Sequence, residues 1–338
     1  MRRSTTREPR PASEAPALSR LSFGGAPIGN LYALVDDATA RAAIHEAWHA
    51  EIRHFDTAPY YGYGLSESRL GEVLGELPRD SFTLSTKVGR LIERQAGRRG
   101  QRDGFAVDGH AARFDYSRAG VMRSIESSLR RLRTDRVDVL LLHDIGRLTH
   151  ADAHDRLLAQ ALDEALPTMA ELKAQGICRA IGLGVNEPAV CMQVMPRFPL
   201  DVLMLAGRYT LFEQAESRAL MAWAHSTRTR VLAAAPYNAG LLGRREGPGR
   251  HYDYAPAGPA VLARAQRYYD CGAEFDLDVG AAALQFPLAH PAVATVVCGM
   301  RSPDEVRAAA ARMRAAVPRQ FWIRLRDEGL LAEDVPTP

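Results

Sequence analysis

Short apolar runs alternate with amphipathic stretches along most of this chain. The runs fall at Leu21–Ala26, Ile52–Asp56, Phe82–Val88, Val137–His143, Arg179–Val185, Asp201–Ala206, Val231–Ala235 and Ala294–Cys298. They are near-continuous rather than alternating, the pattern of parallel strands covered on both faces. Between them apolar positions recur at helical spacing. Ala40, Ile44, Ala47 and Trp48 share one face of a helix over Asp36–Ala50. Further helices are predicted over Ser66–Leu77, Arg118–Leu132, Leu157–Gln175, Pro188–Val194, Gln214–Thr229, Pro259–Cys271, Asp278–Leu288 and Ser302–Ala315. Ser66 is placed to cap the second helix. Ser302 caps the last, with Pro303 in its first turn. Eight strand-then-helix units predict a (β/α)8 barrel, the TIM-barrel architecture. A doubly wound sheet would carry G-x-G-x-x-G after its first strand, and Gly24-Gly25-Ala26-Pro27-Ile28-Gly29 does not fit.

Three segments break the alternation. Residues 1–18, rich in Arg, Pro, Ser and Thr, read as a disordered leader before a single barrel domain over 19–338. Gly89–Asp115 carries many Arg and Gly without periodicity, and a loop of that length is functional or mobile. Gly243–Gly258 is a second loop, rich in Gly, Pro and Tyr. A net charge of +3 with no dense basic stripe gives no case for nucleic acid. No run approaches the roughly 18 apolar residues of a membrane span. The basic N-terminus lacks the apolar core of a secretory signal, so a cytoplasmic location is expected. Cys178, Cys191, Cys271 and Cys298 show no C-x-x-C spacing and are expected to pack rather than react.

Chemical side chains gather at the strand ends. Asp56 ends the second run, and the phenols of Tyr60, Tyr61 and Tyr63 follow it. The third run reaches Lys87, and the fourth ends in His143 and Asp144. In a barrel such positions meet at the C-terminal face, where active sites are built. A tyrosine, with an ordinary pKa near 10, becomes a useful base if an ammonium beside it favours the phenolate. Lys87 and Lys173 are the only lysines in an arginine-rich chain. Lysine's pKa moves on burial and arginine's does not, which points to a chemical role for Lys87. Two other readings are open at this stage: a metal-dependent hydrolase barrel using His54, Asp56, His143 and Asp144, and a cofactor-binding module without catalysis. No convincing metal-ligand cluster is present.

The set Asp56, Thr57, Ala58, Tyr61 and Gly62, followed by Lys87 and His143, resembles the aldo-keto reductases, and the resemblance runs from about Leu21 to Leu331. It implies hydride transfer between a nicotinamide cofactor and a small carbonyl or sugar substrate. It selects Tyr61 over its neighbours as the acid–base group, with Lys87 and Asp56 lowering its pKa and His143 orienting the reacting oxygen. It implies a carboxamide contact from Asn186, although the family's Gly-Val-Ser-Asn is shortened here to Gly184-Val185-Asn186. Ala206 and Ala234 stand where the family has a glutamine and a stacking aromatic. Phosphates are expected near Asn238, Gly240 and Leu241, and at the helix start marked by Gly299, Arg301 and Ser302. Members that prefer NADP carry a lysine and an arginine where this chain has Gly299 and Glu305. A carboxylate there repels a 2′-phosphate and accepts from a free 2′-hydroxyl, so NAD is expected over NADP, with Arg301 as the contrary signal. Gly207–Gln214 and Phe321–Leu331 look like the D-threo-aldose (L-fucose) 1-dehydrogenase and pyridoxal 4-dehydrogenase branch. That branch implies oxidation of a cyclic hemiacetal to a lactone, reversible as carbonyl reduction; pyridoxal oxidation and general aldehyde or ketone reduction are the alternatives.

Overall fold

The structure, a computed structural model, describes residues 16–97, 104–245, 251–253 and 255–338. Eight parallel strands close into a barrel: β1 (Leu21–Gly24), β2 (His54–Asp56), β3 (Thr83–Val88), β4 (Val139–His143), β5 (Ala180–Val185), β6 (Val202–Ala206), β7 (Arg230–Ala234) and β8 (Val293–Gly299). Each strand pairs with its neighbours in sequence, and β1 closes against β8. Helices cover the outside.

The pleat sends successive side chains to opposite faces. Phe23, Phe55, Leu84, Leu140, Leu142, Leu183, Leu203, Val231 and Val296 belong to the outer core under the helices. Val139, Leu141, Ala180, Val202, Met204, Leu232, Ala234 and Val297 fill the barrel interior as a second cluster. The remaining interior, on β1–β3, is polar: Ser22, His54, Asp56, Ser85 and Lys87 are all buried. The strands are thus mostly apolar on the outer face, where Thr86 donates to Glu67 of the second helix, but divided on the inner one.

The barrel floor is closed from the N-terminal side. The leader expected over 1–18 lies outside the described residues as far as residue 15. Residues 16–18 cross the bottom of the barrel: Arg230 donates to the Pro16 carbonyl (2.6 Å), Thr83 to that of Ala17 (2.5 Å), and Leu18 packs on the interior cluster.

Helices Arg118–Leu132 and Pro188–Val194 have the predicted bounds. Four features differ. The second helix, Leu65–Leu74, is preceded by Gly64 at φ 95°, so Gly64 and not Ser66 is its N-cap. Ser66 instead ties the first turn to β1, donating to the Gly25 carbonyl at 2.7 Å. The helix expected over 157–175 starts at His154 and passes through a π turn, Ala161–Ala165, before Leu166–Ala174. Pro167 has no N–H to give to a regular turn, and a π turn absorbs the fault. The segment 89–115 contains an antiparallel hairpin, Arg90–Arg94 with His110–Phe114, whose tip over 98–103 lies outside the described residues. A final helix, Arg319–Asp327, buries Phe321, Trp322 and Leu325 and leaves Ile323 exposed, so its apolar residues do not form a clean periodic pattern.

Candidate active site

Register sets the site. Gly24 pairs with Asp56 on one side and Gly299 on the other, and Asp56 pairs with Ser85. Lys87 lies opposite Leu141, and His143 opposite Gly184. Asp56, Lys87 and His143 therefore point inward at the C-terminal mouth of three adjacent strands. Gly184 is needed there: a Cβ on it would sit 3.3 Å from Lys87 Cε, in the path of the lysine side chain. Tyr61 arrives from the loop after β2. That loop is locked by Gly62, at φ 64°, where a Cβ would come within 2.4 Å of the Gly29 carbonyl oxygen.

Lys87 Nζ donates to Asp56 Oδ2 (2.8 Å) and to the Thr57 carbonyl (2.9 Å). Ser85 Oγ donates to the other carboxylate oxygen, Asp56 Oδ1, at 2.6 Å. Lys87 Nζ lies 4.5 Å from the centre of the Tyr61 ring, and the His143 ring stands edge-on to Tyr61 at 6.1 Å. Burial works against the Lys87 ammonium, but the Asp56 carboxylate and Tyr61 outweigh it and hold its pKa above the ordinary lysine value. Burial pushes Asp56 up, opposed by Lys87 and Ser85. Tyr61 departs from expectation. Burial lifts its pKa above 10, Lys87 pulls it back, and the Asp56 and Asp144 carboxylates add to the rise. The ammonium acts in the expected direction, yet the net is a phenol held protonated.

His143 is buried, and burial with the charges of Arg90 and Lys87 keeps its pKa well below the usual imidazole value. Its Nδ1 has no partner among the described residues. Nε2 lies 3.4 Å from Asp144 Oδ2.

The pattern of the sequence missed the residues around this ring. Arg90, the first residue of the hairpin, pairs with Asp144 and lies over the Tyr60 ring at 3.9 Å. Asp144 has φ 47° and is held there by Tyr116, whose hydroxyl donates to the carbonyls of His143 and Asp144 (2.9 Å each). Phe105 returns from the long loop to stack on Tyr61, centroids 6.0 Å apart, and walls one side of the mouth. A Gly before Arg90 at a strand end was the available signal.

The expected cofactor residues fall on the other side of the mouth. The Asn186 side-chain amide, just past the end of β5, makes no hydrogen bond to the described residues, while the residue's backbone carbonyl accepts from Arg208 at 2.6 Å. Ala206 and Ala234 pair across β6 and β7, so those strand ends leave room for a flat ring. The open Asn186 amide, the unpartnered His143 Nδ1 and this gap fit a nicotinamide. Asn238 has a structural task. Its side chain accepts from Thr210 (2.7 Å) and donates to the Gly207 carbonyl (3.2 Å), pinning the loops after β6 and β7 together. The N–H groups of Asn238, Gly240 and Leu241 each donate within local turns, and the Leu241 side chain is fully buried. The turn is therefore a wall, not a row of free donors.

Beyond β8, Ser302 caps helix Pro303–Arg314 by accepting from Glu305 N (3.3 Å). Glu305 reaches back to Arg301, accepting from its N–H (2.9 Å) and pairing with its guanidinium (3.1 Å). Arg301 is thus paired with a carboxylate, and Glu305 is engaged by it.

His54 is no metal ligand in this arrangement, because both ring nitrogens face serine hydroxyls. Among the described residues no group of three or more His, Cys, Asp or Glu is placed to hold a metal. The four cysteines are buried and unpaired, and no described helix is long and apolar enough to cross a membrane.

Residues 20–327 match the model of the aldo/keto reductase family. The chain belongs to that family. As an aldo/keto reductase it is an NAD(P)-dependent oxidoreductase. It is 38% identical to a pyridoxal 4-dehydrogenase of Microbacterium luteolum, over 95% of this chain and 99% of that one. It is 36% identical to a D-threo-aldose 1-dehydrogenase of a Pseudomonas species, over 98% and 99%. An L-galactose dehydrogenase of Arabidopsis thaliana is 30% identical over 86% and 82%. Among solved structures, the holo form of an aldo-keto reductase from Bacillus halodurans superposes with a TM-score of 0.70 at 26% identity, covering 91% and 92% of the two chains. A glycerol dehydrogenase of Gluconobacter oxydans, at 23% identity and TM-score 0.72 over 97% and 95%, shares the fold.

Two of the buried histidines, His54 and His143, give this reductase a specific acid sensitivity. Burial, with Arg230 and Lys87, pushes the His54 pKa down to about 3, and His143 is also lowered. Below about pH 6.5 the unfolded chain binds protons at these rings and the folded chain does not. Stability contributed by the neutral rings is full above that pH and falls as pH drops toward 3, by on the order of 1 kcal/mol per pH unit per ring. Urea unfolding between about pH 7 and 4 should show this slope, and His54→Gln should reduce it. An equal slope in that variant would show that His54 takes up a proton in the folded protein.

Proposed function

We propose that this enzyme oxidises the ring carbon of an aldose or similar cyclic hemiacetal to a lactone. The convergence of Asp56, Lys87, Tyr61 and His143 on one end of the barrel carries this reading. Tyr61, as phenolate, takes the proton of the reacting hydroxyl. Lys87 stabilises that phenolate, and Asp56, braced by Ser85, holds Lys87 beside it. Neutral His143 hydrogen-bonds the reacting oxygen and fixes its approach. Asn186 would hold the carboxamide, and the Ala206–Ala234 gap would seat the ring. The nicotinamide, when bound, accepts the hydride that leaves the carbon. Run backwards, Tyr61 gives its proton to a carbonyl oxygen. Because Tyr61 rests protonated, oxidation should accelerate into the alkaline range while reduction does not need it. Two of the relatives are named for sugars and one for pyridoxal, which supports a polyhydroxylated hemiacetal first and pyridoxal second.

The direct test is Tyr61→Phe. It removes one hydroxyl, so cofactor binding should persist while turnover falls by about two orders of magnitude or more. Tyr60→Phe and Tyr63→Phe should be mild, assayed on a panel of aldoses, pyridoxal and simple aldehydes with lactone detection. Loss of activity in Tyr60→Phe alone would move the base by one residue.

Cofactor choice follows from the helix start. The Arg301–Glu305 pair leaves no free positive charge for a 2′-phosphate, and Asp304 adds a second carboxylate to the first turn. NAD should be preferred over NADP in kcat/KM, and Glu305→Arg should shift the preference toward NADP. A wild-type preference for NADP of about tenfold, roughly 1.4 kcal/mol, would mean that Arg301 leaves its carboxylate for the phosphate.

A further inference from the structure

The mechanism above makes no use of His54, although it lies fully buried inside the barrel, on the same strand as Asp56. Its Nδ1 is 2.8 Å from Ser22 Oγ, and its Nε2 is 3.0 Å from Ser85 Oγ. Ser22 Oγ is 2.5 Å from Thr295 Oγ1, and Ser85 Oγ is 2.6 Å from Asp56 Oδ1. Ser22, Thr295, Ser85 and His54 are completely buried, so water cannot substitute for any of these contacts.

Counting protons fixes every direction in the chain. An ionised carboxylate only accepts, and a serine has one hydroxyl proton. The Ser85 proton therefore goes to Asp56, and Ser85 Oγ must accept from His54. Nε2 carries the N–H. A neutral imidazole has only one, so Nδ1 is bare and accepts from Ser22, which in turn accepts from Thr295; the Thr295 hydroxyl gives its one proton to Ser22 at 2.5 Å in preference to the Arg20 carbonyl at 3.3 Å. All the donors point the same way, from β8 through β1 and β2 to β3 and back to the carboxylate.

We propose that His54 is a positioning residue: locked as the Nε2–H tautomer, it aims the Ser85 hydroxyl at Asp56 and so sets how much of the Lys87 ammonium is left to act on Tyr61. The proposal rests on Tyr61 being the base. Without the Nε2–H, the Ser85 hydroxyl is free to turn away. An Asp56 carboxylate short of one donor is a stronger base. It draws the Lys87 proton toward itself and away from the phenolate, so oxidation needs a higher pH. The charged and titratable groups that face this assembly are few. Lys87 and Arg230 act on His54, and both oppose its protonation. Asp56, Lys87 and Asp144 act on Tyr61, and Arg90 acts on His143 and Asp144 across the mouth. None of them favours a charged His54 except Asp56, which is reached only through Ser85.

Two measurements test this. The first needs no catalysis: 15N spectra of histidine-labelled protein, with the His54 signals identified by their loss in His54→Gln. The expected result is a neutral ring protonated at Nε2, unchanged from about pH 5 to about 9, across the range where an ordinary imidazole titrates. An Nδ1–H signal, or a titration in that interval, overturns the proposal. The second is the pH profile of oxidation. Glutamine at 54 can place an N–H near the Nε2 position, so His54→Gln should keep the wild-type midpoint. His54→Asn reaches Ser22 but not Ser85. It and Ser85→Ala should each raise the midpoint by about 0.5–1 pH unit, the size of one lost hydrogen bond. The double variant His54→Asn/Ser85→Ala should shift no further than Ser85→Ala alone. Lower thermal stability with unmoved midpoints would make the chain merely structural and overturn the proposal. If Tyr61→Phe keeps its activity, the base assignment has failed; if Tyr61→Phe is inactive and the midpoints stay put, only the role of His54 has failed.

Discussion

A buried ion pair governs this molecule's active end. Lys87 and Asp56 are each about 2% exposed and share a 2.8 Å contact inside the barrel mouth. Such a pair is costly to bury, and losing one partner leaves an unpaired charge, typically worth ~3–5 kcal/mol of stability. The surroundings show how the cost is met. Ser85 donates to the carboxylate's other oxygen, and the Thr57 carbonyl accepts a second lysine proton. Gly184 gives up its side chain so that the lysine can extend across the interior. The polar half of the barrel, from Ser22 to Lys87, exists to keep this pair solvated by protein.

The pair faces two partners with opposite needs. In the proposed oxidation Tyr61 loses a proton, and burial and two carboxylates resist that. In the same proposal His143 stays neutral, which burial, with Arg90 and Lys87, favours. Positive charge at the mouth therefore does two jobs at once, helping a phenolate and suppressing an imidazolium. Arg90 is itself restrained by Asp144 and Tyr60, which ties the long hairpin loop to the chemistry. Phe105 from the same loop stacks on Tyr61, so the segment that walls the substrate also holds the proposed base.

Much of this was legible in the sequence, for identifiable reasons. Parallel strands sheathed by helices leave long apolar runs, and eight of them announced the barrel. Asp56, Lys87 and His143 were readable because strand ends are where a barrel places its chemistry. Tyr61 was not separable from Tyr60 and Tyr63 by pattern, since all three sit in one loop near the mouth; only the family spacing chose it. Arg90 was lost in an arginine-rich chain whose ion pairs are mostly on the surface, so Asp144 was read at its strand end without its partner. Asn238 was read as a ligand contact, and its role as a clasp between loops was not legible, because an amide's two ends are equally suited to either task. Glu305 was read as free, but a carboxylate at the third position of a helix finds the N–H groups behind it first.

The central claim is that the Lys87 ammonium, held by Asp56, makes Tyr61 a usable base. It is tested most directly by the pH dependence of substrate oxidation in Lys87→Met, measured beside Asp56→Asn/Lys87→Met, which removes both charges together. In each the midpoint for oxidation should move to higher pH by about one unit or more, because the phenolate has lost its positive neighbour. A midpoint equal to that of the wild type, at near-normal rate in the folded double variant, would contradict the account.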